Sequence, residues 1–489
     1  MDPALETVLE APSRTPRTAA TRPSLLVTLL LTVVSLTARA DEPQAELSPA
    51  TIQRIDAAAA AVLAKTGTPS ASIAIVRDGR IVYSQAYGKA RLGSNPIAAR
   101  PAMRYAIGSI TKQFTAAALL LLQQDGKLSL DDKVAKYVPG LTRAADITIR
   151  QLLTHTSGYQ DYWPQDYTFK AMLEPTTPAG IVERWARQPL DYEPGTRWQY
   201  SNTGYVIAGL IVEKVSGQPF HSFLEQRILA PLGLASTSDF DREPHAHGTV
   251  AGYDTYALGP PRLAMASGPG WLFGAGGLAM TAEDLARWDI SLLRRSLLDE
   301  ASYRALETDT LLASGVATGY GLGLDVEMEK QRRKLSHGGE VSGFTALNTV
   351  YPDDGTAIVV LTNLMASKAP ETLTEKIAEI VFEHGEDAKD AARTAQARAI
   401  FAGLQQGRID RTLFSPNANE YFSEQALADF QSSLAPLGAP QEFKHLRTWL
   451  RGGMTGRSYQ AVYPDKKLRV WTYELPDGKL EQLQVQVTE

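Results

Sequence analysis

The pattern of apolar and polar positions predicts a helix, a hairpin and a long helical region in the first half of the chain. Between residues 48 and 65, apolar side chains recur near helical spacing, as in an amphipathic helix. Two short apolar runs, 71–76 and 81–86, then flank Asp78-Gly79, a pair typical of a tight β-hairpin turn. From residue 109 to about 235 helical spacing dominates, interrupted by loops rich in proline and aromatic residues.

Strand patterns return after this helical region. The predicted strands 334–337, 344–351 and 356–362 are separated by glycine-rich or Asp-Asp-Gly turns, and a helical pattern follows at 370–383. A helix and hairpin at one end, and strands with a helix at the other, predict one large domain over residues 48–385. Its expected fold class is α+β, with one antiparallel sheet flanked by helices and an inserted helical subdomain.

The remainder of the chain predicts a second, smaller domain. Residues 386–398 are charged and rich in alanine without a clear apolar face, so we interpret them as a linker. Residues 399–489 contain a helical pattern at 423–434 and alternating strand patterns such as 468–473 and 481–487. This order predicts a small α+β domain, whose role the sequence leaves open.

The first 40 residues have the order of a secretory signal peptide. Basic residues precede the apolar run 25–36, and the small residues of Thr37-Ala38-Arg39-Ala40 follow it as a cleavage site would. Twelve helical residues rise about 18 Å, too little for a bilayer core of about 30 Å. We therefore expect a mature chain beginning near Asp41, periplasmic or secreted, without a stable membrane span; an uncleaved signal anchor is the alternative.

Composition and charge exclude several function classes. The chain of 489 residues is 44% hydrophobic and 21% charged, which is ordinary globular composition, and its net charge of -5 predicts no nucleic-acid partner. The absence of cysteine excludes disulfides, thiolate metal sites and cysteine nucleophiles. His245 and His247 lie in a loop without an obvious third ligand, so neither a metal nor an organic cofactor is expected.

The segment Ser109-Ile110-Thr111-Lys112 opens a helix that is apolar on all sides. Positions three residues apart lie on one helical face, so the Lys112 amine can reach the Ser109 hydroxyl. Burial and the positive end of the helix dipole both disfavour the charged form of this lysine, which makes a neutral, basic amine attainable. A serine hydroxyl needs such a neighbour to become nucleophilic. The alternative is an exposed first turn with no chemical role.

Two further segments carry groups that suit acyl transfer. Tyr200-Ser201-Asn202 precedes a helix, where a tyrosine hydroxyl can shuttle a proton and an asparagine amide can position a lysine and a substrate carbonyl. Ser336-His337-Gly338-Gly339-Glu340 ends a predicted strand, and its glycines allow a substrate to approach the strand edge. The backbone amides of Glu340 and Ser109 could then form an oxyanion hole. Taken separately, a helix N-cap and a glycine turn explain these two segments as well.

Together the three segments resemble, in order and approximate separation, the signature motifs of the superfamily of class C β-lactamases, D-Ala-D-Ala carboxypeptidases and family VIII esterases. The resemblance covers about residues 48–385 and does not reach the C-terminal domain. Further phrases of the same style occur at 152–158 (Leu-Leu-Thr-His-Thr-Ser-Gly), 231–234 and 274–285. His155, within the first of these phrases, is expected to be a hydrogen-bonded structural histidine. No G-x-S-x-G elbow surrounds Ser109, which argues against an α/β-hydrolase.

The resemblance implies a role for each matching residue. Ser109 would be the nucleophile, Lys112 and Tyr200 the proton-transfer pair, and Asn202 a positioning group. His337 stands where the β-lactamases usually carry lysine, so one fixed positive charge is missing. Since a histidine is mostly neutral at pH 7, His337 is expected to bind a substrate carboxylate less firmly.

The expected function is therefore an exported serine hydrolase that cleaves an amide or ester through an acyl-enzyme on Ser109. Cell-wall peptides, esters and β-lactams are the candidate substrates, and the oligomeric state stays open. The alternative is a non-hydrolytic protein of the same fold, either a penicillin-binding sensor or a scaffold. An inert binder has no chemical need for Ser109, Lys112, Tyr200 and His337 together, which favours the enzyme.

Overall fold

A computed structural model describes residues 46–165, 167–244, 246–330 and 332–488, without the side chains of 383–391 and 450. The predicted signal peptide, residues 1–40, and His245 lie outside the described residues. Within them, no helix combines the length and apolar character needed to cross a membrane. The α-helices are α1 Pro49–Thr66, α2 Thr111–Gln124, α3 Ile149–Leu153, α4 Pro178–Trp185, α5 Asn202–Ser216, α6 Phe220–Leu224, α7 Ala230–Leu232, α8 Phe273–Gly276, α9 Ala282–Arg294, α10 Glu300–Glu307, α11 Ala369–Leu404, α12 Pro416–Tyr421 and α13 Glu424–Leu434.

The strands form one large antiparallel sheet, a C-terminal sheet and two small ones. Their bounds are β1 Ser70–Arg77, β2 Arg80–Arg91, β3 Ile97–Ala98, β4 Tyr105–Ala106, β5 Ser238–Asp239, β6 Tyr253–Asp254, β7 Arg262–Leu263, β8 Leu278–Met280, β9 Asp325–Glu329, β10 Arg332–Val341, β11 Phe344–Tyr351, β12 Thr356–Thr362, β13 Glu442–Arg451, β14 Met454–Val462, β15 Lys467–Glu474 and β16 Leu480–Val487. The large sheet has the order β3-β2-β1-β12-β11-β10-β9, and the C-terminal sheet has the order β13-β14-β15-β16. The fold class predicted from the sequence is confirmed.

Helices cover both faces of the large sheet. Successive side chains of its central strands point to opposite faces, so each central strand contributes to two hydrophobic clusters. Ile73 and Ile75 of β1 pack with α1 and the first half of α11. Ala74 and Val76, which alternate with these isoleucines along β1, belong to a second hydrophobic cluster that includes residues of α2 and α9. Burial on both faces explains why β1 and β12 are nearly continuous runs of buried residues rather than alternating ones.

Helix α2 runs through the centre of the larger hydrophobic cluster. Every residue from Thr111 to Leu122 is buried, as its apolar sequence predicts. Two side chains of α2 also bind the segment 274–278. Thr115 Oγ1 donates to the carbonyl of Gly274 at 2.7 Å, and the Leu278 amide donates to Thr111 Oγ1 at 3.2 Å. These bonds fix segment 274–278 along the helix that carries Lys112.

Helix α11 differs from the sequence prediction. It was expected to end near residue 383, but it continues to Leu404, and the predicted linker 386–398 lies inside it. Alanine-rich sequence has the highest intrinsic helix propensity, so this stretch stays helical although it lacks an apolar face. Its first half packs on the large sheet through Leu373 and Ile377, and its last turns pack on the C-terminal sheet through Phe401 and Leu404. From Leu47 onward the described chain forms one compact unit, and the division into two domains stays a prediction.

Candidate active site

Ser109 lies in a short 3₁₀ turn, Gly108–Ile110, that leads directly into α2. Its side chain is partly exposed at the floor of a cavity of about 590 Å³. Gly108 has a φ of +50°, and a Cβ there would lie 2.6 Å from the backbone nitrogen of Glu340. A residue with a side chain cannot take this position without moving the neighbouring strand β10. The serine is thus presented on a sharp turn that β10 crosses at close range.

Lys112 is fully buried one turn after Ser109 and has three hydrogen-bond partners. Its Nζ lies 3.0 Å from Ser109 Oγ, 2.8 Å from Asn202 Oδ1 and 2.8 Å from the carbonyl oxygen of Ala275. The amide and carbonyl oxygens can only accept, whereas the serine hydroxyl can accept or donate. A neutral amine therefore gives its two N–H groups to Asn202 and Ala275 and keeps its lone pair for the Ser109 hydroxyl.

The electrostatic surroundings of Lys112 favour this neutral form. Burial lowers the pKa of the Lys112 amine to about 7, and the Asp161 carboxylate opposes part of that shift. At neutral pH a large fraction of the protein therefore carries an uncharged amine beside Ser109. This is the state that a general base requires.

Tyr200 lies beside Ser109 and Lys112. Lys112 Nζ lies 4.9 Å from the centre of the Tyr200 ring. Burial raises the pKa of the Tyr200 phenol far above its usual value, while a hydrogen-bonding interaction with the Ser109 side chain works in the opposite direction. The phenol consequently keeps its proton at neutral pH and is available as a donor near the serine oxygen.

Asn202 is held from behind by Asp161, a residue that the sequence prediction missed. Asp161 Oδ1 accepts from the backbone amides of Asn202 at 3.0 Å and Trp163 at 3.2 Å, and Oδ2 accepts from Asn202 Nδ2 at 3.2 Å. Burial raises the pKa of Asp161, and these hydrogen bonds oppose that shift. Because the amide nitrogen of Asn202 is committed to Asp161, its oxygen faces Lys112.

His337 is buried and joined to His155 through Tyr320. The Ser201 amide donates to His155 Nδ1 at 3.1 Å, so the proton of His155 sits on Nε2, which lies 3.2 Å from Tyr320 Oη. The Tyr320 hydroxyl in turn lies 2.8 Å from His337 Nε2. His337 Nδ1 lies 2.6 Å from the carbonyl oxygen of Gly338, which can only accept. His155 is therefore neutral, and a neutral His337 engages both of its ring nitrogens, donating from Nδ1 to Gly338 and accepting at Nε2 from Tyr320.

The pKa values agree with this hydrogen-bond chain. Burial is the main cause that lowers the pKa of His337 to about 3, and it also lowers the pKa of His155 well below its usual value. His155 is hydrogen-bonded through both ring nitrogens, and its structural role stays a prediction. It has a φ of +56°, its ring centre lies 4.3 Å from that of Tyr200, and its carbonyl accepts from the Gln199 amide at 3.0 Å. It thus holds the backbone on both sides of Tyr200.

Gly338, Gly339 and Glu340 occupy the part of β10 that faces Ser109. Strand β9 pairs with β10 only as far as Ser336, so the following residues have a strand partner in β11 alone. A Cβ at Gly339 would lie 1.9 Å from the carbonyl oxygen of Ile107, whereas a Cβ at Gly338 would meet nothing within 4 Å. Gly339 thus permits the contact with the serine turn, and Gly338 leaves space in the cavity.

All eight residues singled out from the sequence meet around one cavity. Seven of them line it, and Lys112 lies buried directly beneath Ser109. Asp161 and Tyr320 were not predicted from the sequence, and Ala275 was noted only within the phrase 274–285, without a role for its carbonyl. Among the described residues, no group of three histidine or acidic side chains could hold a metal ion, and His247 is exposed.

Comparisons with known proteins show the family to which the chain is similar. A family model described as Beta-lactamase matches residues 55–382, more than half of the chain. A penicillin-binding protein of Bacillus subtilis is 29% identical over 343 residues, which cover 66% of this chain and 74% of the relative. The structure of a D-stereospecific amidohydrolase from Streptomyces is 28% identical with a TM-score of 0.57, covering 66% of this chain and 97% of that one. The octameric penicillin-binding protein homologue from Pyrococcus abyssi, 21% identical with a TM-score of 0.59, covers 89% of this chain and 100% of that one, and shares the fold.

Proposed function

This chain belongs to the Beta-lactamase family of serine hydrolases, and from that premise we propose that Ser109 attacks an amide or ester carbonyl and carries the acyl group covalently. The observation that supports this assignment best is the pairing of Ser109 with Lys112. The two side chains lie 3.0 Å apart, and the other two partners of the amine are obligatory acceptors. A neutral Lys112 is therefore oriented as a base toward the serine hydroxyl.

Acylation begins when Ser109 Oγ forms a bond to the substrate carbonyl carbon. The hydroxyl proton passes to the Lys112 amine, and the carbonyl oxygen takes up the negative charge. The backbone N–H groups of Ser109 and Glu340 receive this oxygen in our proposal, and the close approach of β10 to the serine turn supports that placement. Asn202 positions the amine and presents its side chain to the same cavity.

The leaving group must receive a proton when the tetrahedral intermediate collapses. Tyr200 donates its phenolic proton to the departing nitrogen or oxygen and regains one from the Lys112 ammonium. Water then attacks the acyl-enzyme, its proton passes to Lys112 through Tyr200, and Ser109 leaves with a proton returned from Lys112. The cycle restores every group and consumes only substrate and water.

The substrate class is supported at the level of small molecules and peptides. The relative from Streptomyces is a D-stereospecific amidohydrolase, and the Bacillus relative is a penicillin-binding protein. We accordingly propose an amide or ester whose acyl part is a peptide or amino-acid derivative. Export to the periplasm or medium is part of the proposal and depends on the sequence of the first 40 residues.

A turnover experiment tests the proposed function against the sensor alternative. The purified chain is incubated with a p-nitrophenyl ester, an amino-acid amide and a penicillin, while adduct mass and product are followed together. We expect product in excess of enzyme for at least one substrate, and none with Ser109→Ala. One adduct per chain without product release would instead indicate a sensor, and turnover by Ser109→Ala would refute the assignment.

A further inference from the structure

The cavity around Ser109 has an acidic wall. Asp161, Glu340 and Glu371 are among the residues that line it, and none of the described lining residues is a lysine or an arginine. Glu371 lies in the first turn of α11, and one of its carboxylate oxygens is buried without a hydrogen-bond partner. A buried carboxylate oxygen without a partner is costly unless a cation comes close to it.

The two basic side chains at the site do not offset this charge for a ligand. Lys112 lies beneath Ser109 and directs its hydrogen-bonding capacity at Ser109, Asn202 and Ala275. His337 donates from Nδ1 to the Gly338 carbonyl and accepts at Nε2 from Tyr320. An imidazole in this arrangement has no N–H left for a substrate carboxylate, and it carries no positive charge.

We infer that the site selects substrates carrying a positive charge near the scissile bond and discriminates against those carrying a carboxylate there. This inference rests on the proposed function, because it concerns the substrate of the same serine. The favoured class is an amide or ester with an ammonium group on its acyl part. Carboxylate-bearing β-lactams and peptides ending in a free carboxylate belong to the disfavoured class. In a cavity partly shielded from water, such charge differences act on both encounter and binding.

Three esters of nearly equal shape and different fixed charge test this inference. They are the p-nitrophenyl esters of 4-(trimethylammonio)butanoate, of its neutral carbon analogue 5,5-dimethylhexanoate, and of glutarate as the monoanion. For the wild-type protein we expect kcat/KM to fall in that order, with the cation at least about tenfold above the anion at low salt. The ratio should shrink when the salt is raised to about 0.5 M, because salt screens the interaction.

Glu371→Gln separates the charge of the wall from its shape, and Glu375→Gln is the matched control. Glu375 lies one turn further along α11, is exposed and does not line the cavity. We expect Glu371→Gln to lower kcat/KM for the cationic ester about threefold to tenfold, with the neutral ester within about twofold. Glu375→Gln should leave all three esters unchanged.

The outcomes distinguish the inference from the proposed function. Hydrolysis of the neutral ester that is lost in Ser109→Ala upholds the acyl-enzyme, whatever the charge preference. With that result in hand, a preference for the glutarate ester, or an equal loss for all esters in Glu371→Gln, would overturn the inference alone. Hydrolysis of the neutral ester by Ser109→Ala would overturn both.

Discussion

Asn202 and Asp161 are joined by a hydrogen bond of 3.2 Å that decides which end of the asparagine amide faces Lys112. The nitrogen is taken by the Asp161 carboxylate, and the oxygen accepts from the Lys112 amine at 2.8 Å. Asp161 thus acts on the candidate base in two ways. It orients one of the acceptors of the amine, and its negative charge raises the pKa of Lys112 against the effect of burial.

Replacement of Asp161 by asparagine should therefore change the pH profile as well as the rate. Asp161→Asn removes the charge that raises the pKa of Lys112, so the pH at which kcat/KM reaches half its maximum should fall. We also expect kcat/KM to fall about tenfold, which is the effect expected from the loss of one well-placed hydrogen bond to a charged group. The measurement is the pH dependence of ester hydrolysis. Asp477→Asn, at an exposed residue of the C-terminal region, is the control, and an unshifted profile in Asp161→Asn would refute the electrostatic role.

The wild-type pH profile should report the titration of Lys112 itself. With a pKa of about 7, the amine is protonated in acid and cannot accept the serine proton, so kcat/KM should rise with pH and level off above about pH 7. Lys112→Arg should be inactive over the same range, because a guanidinium does not deprotonate in proteins. A profile that stays flat from pH 5 to 9, or an active Lys112→Arg protein, would contradict the assignment of Lys112 as base.

The same pKa shift has a consequence for stability. Between pH 7 and 10.5 the unfolded chain keeps the Lys112 proton and the folded chain does not. The contribution of this group to the free energy of unfolding therefore rises with pH through that window and is constant below it. Denaturant unfolding of the wild-type and Lys112→Met proteins at pH 6 and pH 9 isolates the contribution of Lys112. We expect the free energy of unfolding of the wild type to increase relative to that of Lys112→Met at the higher pH. The absence of such an increase would contradict the lowered pKa of Lys112.

Tyr320 connects two buried histidines, and its hydroxyl satisfies both. Tyr320→Phe leaves the Nε2–H of His155 and the Nε2 of His337 without partners, which should lower the free energy of unfolding by about 2–4 kcal/mol. Because His155 also holds the backbone beside Tyr200, we expect kcat to fall more than KM changes. Tyr256→Phe, at a side chain that is 76% exposed, is the control for thermal unfolding and kinetics. Equal stability of the two variants would show that the chain of hydrogen bonds is not stabilising.

Gly338 and Gly339 form a matched pair for testing the approach of β10 to the serine turn. Gly339→Ala places a methyl group against the Ile107 carbonyl and should cost about 1–3 kcal/mol in unfolding free energy, with loss of activity. Gly338→Ala adds its methyl group in open space and should stay within about 0.5 kcal/mol of the wild type. Denaturant unfolding of both variants measures this difference in unfolding free energy. A Gly339→Ala protein as stable as Gly338→Ala would refute the tight contact.

The features predicted correctly from the sequence are those that local spacing determines. The bounds of β11 and β12 agree with their apolar runs, and Ser109 meets Lys112 because residues three apart share a helical face. The full length of α11 was missed because residues 386–398 show no apolar stripe in the sequence, so their spacing does not indicate a packed helix.

The features that could not be predicted are long-range hydrogen bonds between polar groups. Asp161 binds Asn202 across 41 residues, and His155 reaches Tyr320 across 165. Neither contact leaves a periodic signal, because each joins residues that are far apart in the sequence. Local spacing therefore predicts the candidate reacting groups and Asn202, whereas Asp161 and Tyr320, which contact them from distant parts of the chain, are found only in the fold.

The location of the covalent adduct tests the central claim most directly. The protein is mixed with a slowly hydrolysed ester or β-lactam, quenched within the acylation phase, digested and mapped by mass spectrometry. We expect a single acyl group on Ser109, and no adduct in a folded Ser109→Ala protein. An acyl group on any other residue, or turnover without a trapped adduct on Ser109, would contradict the account.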